Sequence, residues 1–550
     1  MLRYTVQSKI PTSQYIQLNL LLDLKETEHV KLQLPAWRAG RYQIANYAQN
    51  IRGFAIKNSA GAKIPFQKTT KDLWEFSSDS KGPYLISYEY YCGKMDGGSA
   101  WVDEEQVYVN LVNCCFDVLG KSEEEIEIIL DLPEFSCQTC TLIQESPSIW
   151  KAKNFQMLAD STIIASKRLI HWEYQVQKTQ FHIWIQGEVH FDKNLFLNRF
   201  NSFSEKLIQD FGEFPESEYH FIFQLLPYSH YHGVEHRRGT VITFGPAESL
   251  KDPIQMEELL GVSCHELYHA WNVCRIRPKE LLPYDFSKET YTKAGLILEG
   301  VTTYLGDLYL LKSGVYDLPT YLRHFEKIID RESANFGWRN YTIQESSFDL
   351  WLDGYIGGIP DRKVNIYTRG ALLAICMDIL LLKNGSALAT VMTQMWEQFG
   401  KPFLGYGIKD FENLIIEQFQ DNSEIKSFFT DFVQGYEDLF PFLQSLLSEI
   451  GIEMKEVQTE DRLLHQFGIR TNRDGLVTQI HPDAKAYFLV MKNDKVLNFS
   501  QEGSSEYPEL LVSRQDRTLK FSLEKDPNIY FPLFQLSQKE INTLTEKWLA

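Results

Sequence analysis

The pair of histidines in "VSCHELYHAWN", residues 262–272, constrains this chain more than any other feature. His265 and His269 stand four apart, and on a helix positions i and i+4 lie on one face. Leu267, Tyr268, Ala270 and Trp271 surround them with apolar and aromatic side chains, so the helix is expected to be buried. Buried imidazoles need partners. One metal ion between them satisfies both, and Glu266, one position on, can reach a water on that ion without being a ligand. The competing reading is two surface histidines on an amphipathic helix, and the apolar surroundings weigh against it.

A catalytic zinc takes three protein ligands and keeps a fourth position for water. Glu299 is the best third ligand: it stands in "LILEGVTTYL", mid-helix and otherwise apolar. A lone carboxylate there is costly unless a cation offsets it. The alternative cation is a nearby arginine. Gly300 follows at once; it weakens a helix by about 1 kcal/mol but lets another element approach closely. The ligand set expected for Zn2+ is therefore His265, His269 and Glu299.

The rest of the chain arranges itself around this centre. Residues 1–170 read as short alternating strands such as "YIQLNLLLDL" and "YLISYEYYCG", which spells a β-sandwich-like domain. Strands continue through "FHIWIQGEVHF" and "YHFIFQLLPY". Near residue 253 the texture turns helical. One helix is expected through the histidines to just before Pro278, and a second over "YTKAGLILEGVTTYLGDLYLLKSG" with Gly314 as its C-terminal stop. A third follows with Asp317 as N-cap. A fourth, "YTRGALLAICMDILLLKNG", is apolar enough to be buried. From about residue 451 strands return, as a small, separate β-rich module.

The 550 residues are too many for one ordinary domain, and the net charge of −18 argues against nucleic acid or an anionic membrane as the main partner. No stretch of about 18 apolar residues predicts a transmembrane helix. The start, "MLRYTVQSKIPTSQ", lacks the features of a secretory leader. Eight cysteines in so long a chain do not read as a disulfide framework, and "CQTC" has no second pair to complete a metal site. A cytoplasmic setting is the expectation.

"HELYHAWNVCRIRPKELLPYDFSKETYT" followed by "LEGVTTYLGDLYL" resembles the glycyl aminopeptidase family of gluzincin metallopeptidases. "LPAWRAGRYQIANYAQNI" resembles that family's N-terminal signature, and "GEFPESEYHFIFQLLPYSHYHGVEH" its approach to the active site. The resemblance implies an α+β multidomain chain. An N-terminal β domain would span 1–170, a thermolysin-like, mostly helical catalytic domain 171–450, and a divergent PDZ-like domain 451–550. It also implies two further site residues. Glu235, in "YHGVEHRRGT", would bind the substrate's free α-amine; otherwise it pairs with Arg237 or Arg238 on the surface. Tyr367, in "YTRGALLAICMDILL", would donate to the oxyanion. Trp271, Asn272 and Thr303 are candidates for supporting or wall residues, or for plain core.

The sequence departs from the family in places. Leu267 stands where an aromatic is usual, Leu296 where a Trp is often seen, and Arg369 where Lys is common. In the C-terminal module Phe467, Gly468 and Ile469 match a PDZ carboxylate-binding loop, but the usual Gly-Asp turn is Asn493-Asp494. The expected activity is a zinc-dependent aminopeptidase releasing glycine or alanine from peptides. The alternatives are a zinc endopeptidase of the same fold, and a catalytically weak scaffold binding peptide C-termini through the PDZ-like module.

Overall fold

A computed structural model describes residues 2–354, 358–500, 508–525 and 527–550. Alternating burial along Tyr15–Leu24 and Gly82–Tyr91 gives each strand one apolar face. A seven-stranded and a four-stranded sheet turn such faces toward each other around Leu20, Trp37, Trp74, Ile86 and Phe116. A further four-stranded sheet carries Tyr108 and Ile164 onto the next domain, where they meet Trp184, Ile222 and Val241.

That next domain opens with a mixed five-stranded sheet: β1 (Ile170–Val176), β2 (Thr179–Gln186), β3 (Glu218–Leu225), β4 (His230–His236) and β5 (Gly239–Gly245). Its spatial order is β1-β2-β3-β5-β4, so β4 is an edge strand. Helix α1 (Lys193–Phe211) crosses from β2 to the parallel β3. Beyond the sheet come α2 (Pro253–Tyr268), α3 (Val301–Lys312), α4 (Leu318–Ser333) and α5 (Thr368–Lys383). Asp317 caps α4 by accepting from the Thr320 N–H, and α5 is buried along nearly its whole length, both as the sequence predicts. Among the described residues no single helix is long and apolar enough to cross a membrane.

Two helix limits differ from the expectation. Helix α2 stops at Tyr268, not before Pro278. The chain then turns so that the Asn272 carbonyl accepts from His269 Nδ1, a carbonyl that a continuing helix would spend on its own backbone. The next helix starts at Leu296 rather than Tyr291, with a π-helical turn, Leu296–Gly300, before α3. Such turns recur at functional sites, and this one carries Glu299. Gly300 meets Gly370 of α5 backbone to backbone: a Cβ on Gly300 would lie 2.5 Å from the Gly370 Cα.

The C-terminal stretch also differs from a separate β-rich module. Phe467, Ile469, Val477, Leu510 and Val512 form a small core of their own. Yet short helices occur at Arg462–Phe467 and at α6 (Thr543–Leu549). The antiparallel pair Ile452–Val457 and Leu533–Gln538 joins the helical core instead, together with Trp548 of α6. The Trp548 indole donates to the Tyr304 hydroxyl at 2.9 Å, and Tyr304 donates to Asp378 at 2.6 Å. A buried indole needs such an acceptor, and here the helical domain supplies it.

Candidate metal centre and cleft

His265 projects from the last turn of α2, His269 caps its C-terminal end, and Glu299 faces them from the π-helical turn. The two Nε2 atoms are 3.1 Å apart, and the Glu299 Oε2 lies 3.6 Å from His265 Nε2 and 3.5 Å from His269 Nε2. A tetrahedral ion with arms of about 2.0–2.1 Å has edges of about 3.3 Å. The three donors thus already have the spacing of three corners around one zinc. His269 Nδ1 donates to the Asn272 carbonyl at 2.7 Å, which leaves Nε2 free to face the cluster. The Asn272 side chain donates to Ile297 O and Thr302 Oγ1, tying the end of α2 to the π-helical turn. Glu299 Oε2 is buried without a hydrogen-bond partner among the described residues. A buried carboxylate oxygen of this kind is what a cation would satisfy, so the residues present fit a zinc ion.

Glu266 lies beside the cluster, 6% exposed, with Oε2 likewise unpartnered. Its place is set by β4. Strand alternation turns Tyr231, Gly233 and Glu235 to one side, and a Cβ on Gly233 would sit 2.2 Å from Glu266 Oε1. Glycine here makes room for the carboxylate; nothing in its backbone φ demands it. A cleft of about 880 Å³ brings together His265, His269, Glu299, Glu266, Tyr367 and Glu235. The Tyr367 ring, one residue before α5, lies 6.5 Å from the His265 ring, centroid to centroid. Glu235 packs against Gly40 of the N-terminal domain. Arg237 pairs with Glu216, and Arg238 with Glu216 and Glu218, so the ion pairs of these arginines run away from Glu235.

The electrostatics follow from burial and from the three carboxylates. Burial, with the Glu235 and Glu299 charges adding to it, pushes Glu266 up to about 8. Burial also lowers His265. At His269 burial acts the same way, but the Glu299 carboxylate outweighs it and holds the ring up at about 10. Burial works to raise Glu299, and His269 and His265 outweigh that, holding it well below the usual carboxylate range. The cluster is therefore built for positive charge beside Glu299, and a carboxyl poised near neutrality stands next to it.

Sequence reasoning missed the contribution of the N-terminal domain. Arg38, Arg41, Lys94 and Asp96 line the same cleft. Arg38 is 6% exposed, and its guanidinium lies 3.4 Å from His232 Nε2 on β4. The only signal was the run "LPAWRAGRY", and nothing in it says which site it approaches. Thr303 lines the cleft, whereas Trp271 stacks on Phe211 at 4.7 Å and belongs to the core.

Residues 3–167 match the Peptidase M61 N-terminal domain and residues 258–373 the M61 glycyl aminopeptidase domain. No curated protein matches the chain. An aminopeptidase N family protein from Idiomarina loihiensis shares the fold, with a TM-score of 0.90 and 23% identity over 100% of both chains. An M1 zinc metallopeptidase from Deinococcus radiodurans aligns at a TM-score of 0.48 and 13% identity, over 80% of this chain and 93% of its own.

Proposed function

We propose that this chain, which carries two domains of the M61 peptidase family, is a zinc aminopeptidase that removes glycine or alanine from the N-terminus of peptides. His265, His269 and Glu299 would hold the ion. A zinc ion held there would supply Lewis-acid chemistry, lowering the pKa of a water and polarising the scissile carbonyl. Glu266 takes the proton of the attacking water and passes it to the leaving amine. The Tyr367 hydroxyl donates to the oxyanion. Glu235 accepts hydrogen bonds from the substrate's α-ammonium, so that the cut falls after the first residue. The free cysteines of the chain suit a reducing, cytoplasmic setting.

The observation that carries this reading is one cleft holding the His265–His269–Glu299 cluster, Glu266 beside it and Glu235 on the edge strand. The scaffold reading draws little from the C-terminal loop. The Phe467 and Ile469 side chains are buried, and the Gly468 N–H bonds to the Leu464 carbonyl instead of facing a ligand.

The deciding experiment is a panel of aminoacyl fluorogenic substrates, free and N-acetylated, with chelator and with added zinc. Hydrolysis of glycyl and alanyl substrates is expected, abolished by chelation, restored by zinc and absent when the amine is blocked. Equal cleavage of blocked and free peptides would leave a zinc endopeptidase. Metal-independent inertness toward both would leave the scaffold.

A further inference from the structure

We infer a second transition-metal site at the β1 edge of the catalytic-domain sheet, on the face that Trp184 turns toward the N-terminal domain, built by His171, Glu173 and His182. His171 and Glu173 are two apart on β1 and so share a face. His182 on β2 stands directly opposite Glu173 in the antiparallel register, and His171 opposite Trp184. This register brings one donor atom from each of the three side chains within 4.8 Å of the others. The ring nitrogens, His171 Nε2 and His182 Nδ1, are 3.0 Å apart. That spacing is close to the 3.1 Å between the two histidines of the cleft.

The site is held in shape by aromatic stacking. The His171 ring lies on Trp184 with centroids 3.8 Å apart and planes 12° from parallel. The His182 ring lies over His220 at 4.8 Å, and the Trp184 indole donates to His220 Nδ1 at 3.1 Å. Both imidazoles are therefore positioned before any ion arrives. Among the described residues Glu173 has no ion pair with a lysine or arginine, and its nearest polar contact is Gln180 at 3.5 Å. Two imidazoles and one carboxylate are a donor set for Zn2+ or a neighbouring first-row dication, with water completing the shell. Because β1 is the outermost strand of the sheet, an ion there would cross-link the edge to β2, far along the sheet from the cleft edge at β4.

The test is a Zn2+ titration of the metal-stripped full chain by calorimetry, comparing wild type with H171Q/H182Q and with E173Q. The double variant is expected to bind one equivalent fewer than wild type, with an unchanged melting temperature in chelator and unchanged peptidase activity after zinc is restored. E173Q keeps both imidazoles and is expected to weaken that same equivalent without removing the other. The inference is overturned if the double variant loses no equivalent. It is equally overturned if the lost equivalent also vanishes in H269A, which would mean that only the cleft cluster binds. The count is a difference between variants, so it stands apart from whether the cleft is a peptidase.

Discussion

Gly233→Ala isolates the position of Glu266 from its chemistry. The added Cβ would lie 2.2 Å from Glu266 Oε1 and 2.7 Å from its Cδ, while ordinary contact begins near 3.4 Å, so the carboxylate must retreat by about 1 Å. The obstacle is the far end of a flexible side chain, and the Gly233 backbone is not left-handed, so the strand accepts alanine and Glu266 is what moves. A misplacement of about 1 Å at a catalytic group costs on the order of 100-fold in rate. The expected result is kcat/KM lowered by about 100-fold on a glycyl substrate, with zinc content and melting temperature as in wild type. Activity within a few-fold of wild type would refute the assignment of Glu266 as the base held by this strand. Loss of zinc would show that the clash is relayed to His265 or His269 instead.

Other substitutions separate the remaining roles. Glu266→Gln should keep one zinc in the cleft by elemental analysis while abolishing turnover, because a base that is not a ligand is separable from metal binding. Glu235→Ala should lower kcat/KM by about 10- to 100-fold for free-amine substrates, the loss of a charge-assisted hydrogen bond of about 1.5–3 kcal/mol; N-acetylated peptides serve as the unaffected control. Glu332, fully buried, is pushed up to about 7 by burial, with Arg369 and Thr368 opposing. The folded state then holds this proton more tightly than the unfolded one, so its contribution is full below the ordinary carboxylate range and is lost as pH rises toward about 7. Chemical denaturation of the metal-loaded chain at a series of pH values should show Glu332→Gln removing a fall on the order of 3 kcal/mol across that window.

Several features of the site were legible because they are local. The i, i+4 rule sets His265 and His269 on one face whatever surrounds them. Glu299 stood out because a lone carboxylate in an apolar run is too costly to bury without a cation. Gly300 leaves room for another element to approach, and Gly370 is that element. The Asp317 cap and the burial of α5 follow from the same short-range logic. Both misjudged helix limits, Tyr268 and Leu296, fall where every side of the chain is buried. Apolar periodicity vanishes there, so it cannot mark where a helix stops.

The sequence by itself determined which residues meet at the cluster: His265, His269 and Glu299, with Glu266 beside them, on elements apolar enough to be buried. Tertiary structure alone decided what surrounds that centre. It brought Arg38 and Gly40 onto a strand nearly 200 residues later, set Gly233 under Glu266, and wrapped Trp548 onto Tyr304. The reason is range. Helical spacing and the cost of a buried charge act within a few residues of the chain, whereas sheet register and domain packing join residues whose separation in sequence says nothing about their distance in space.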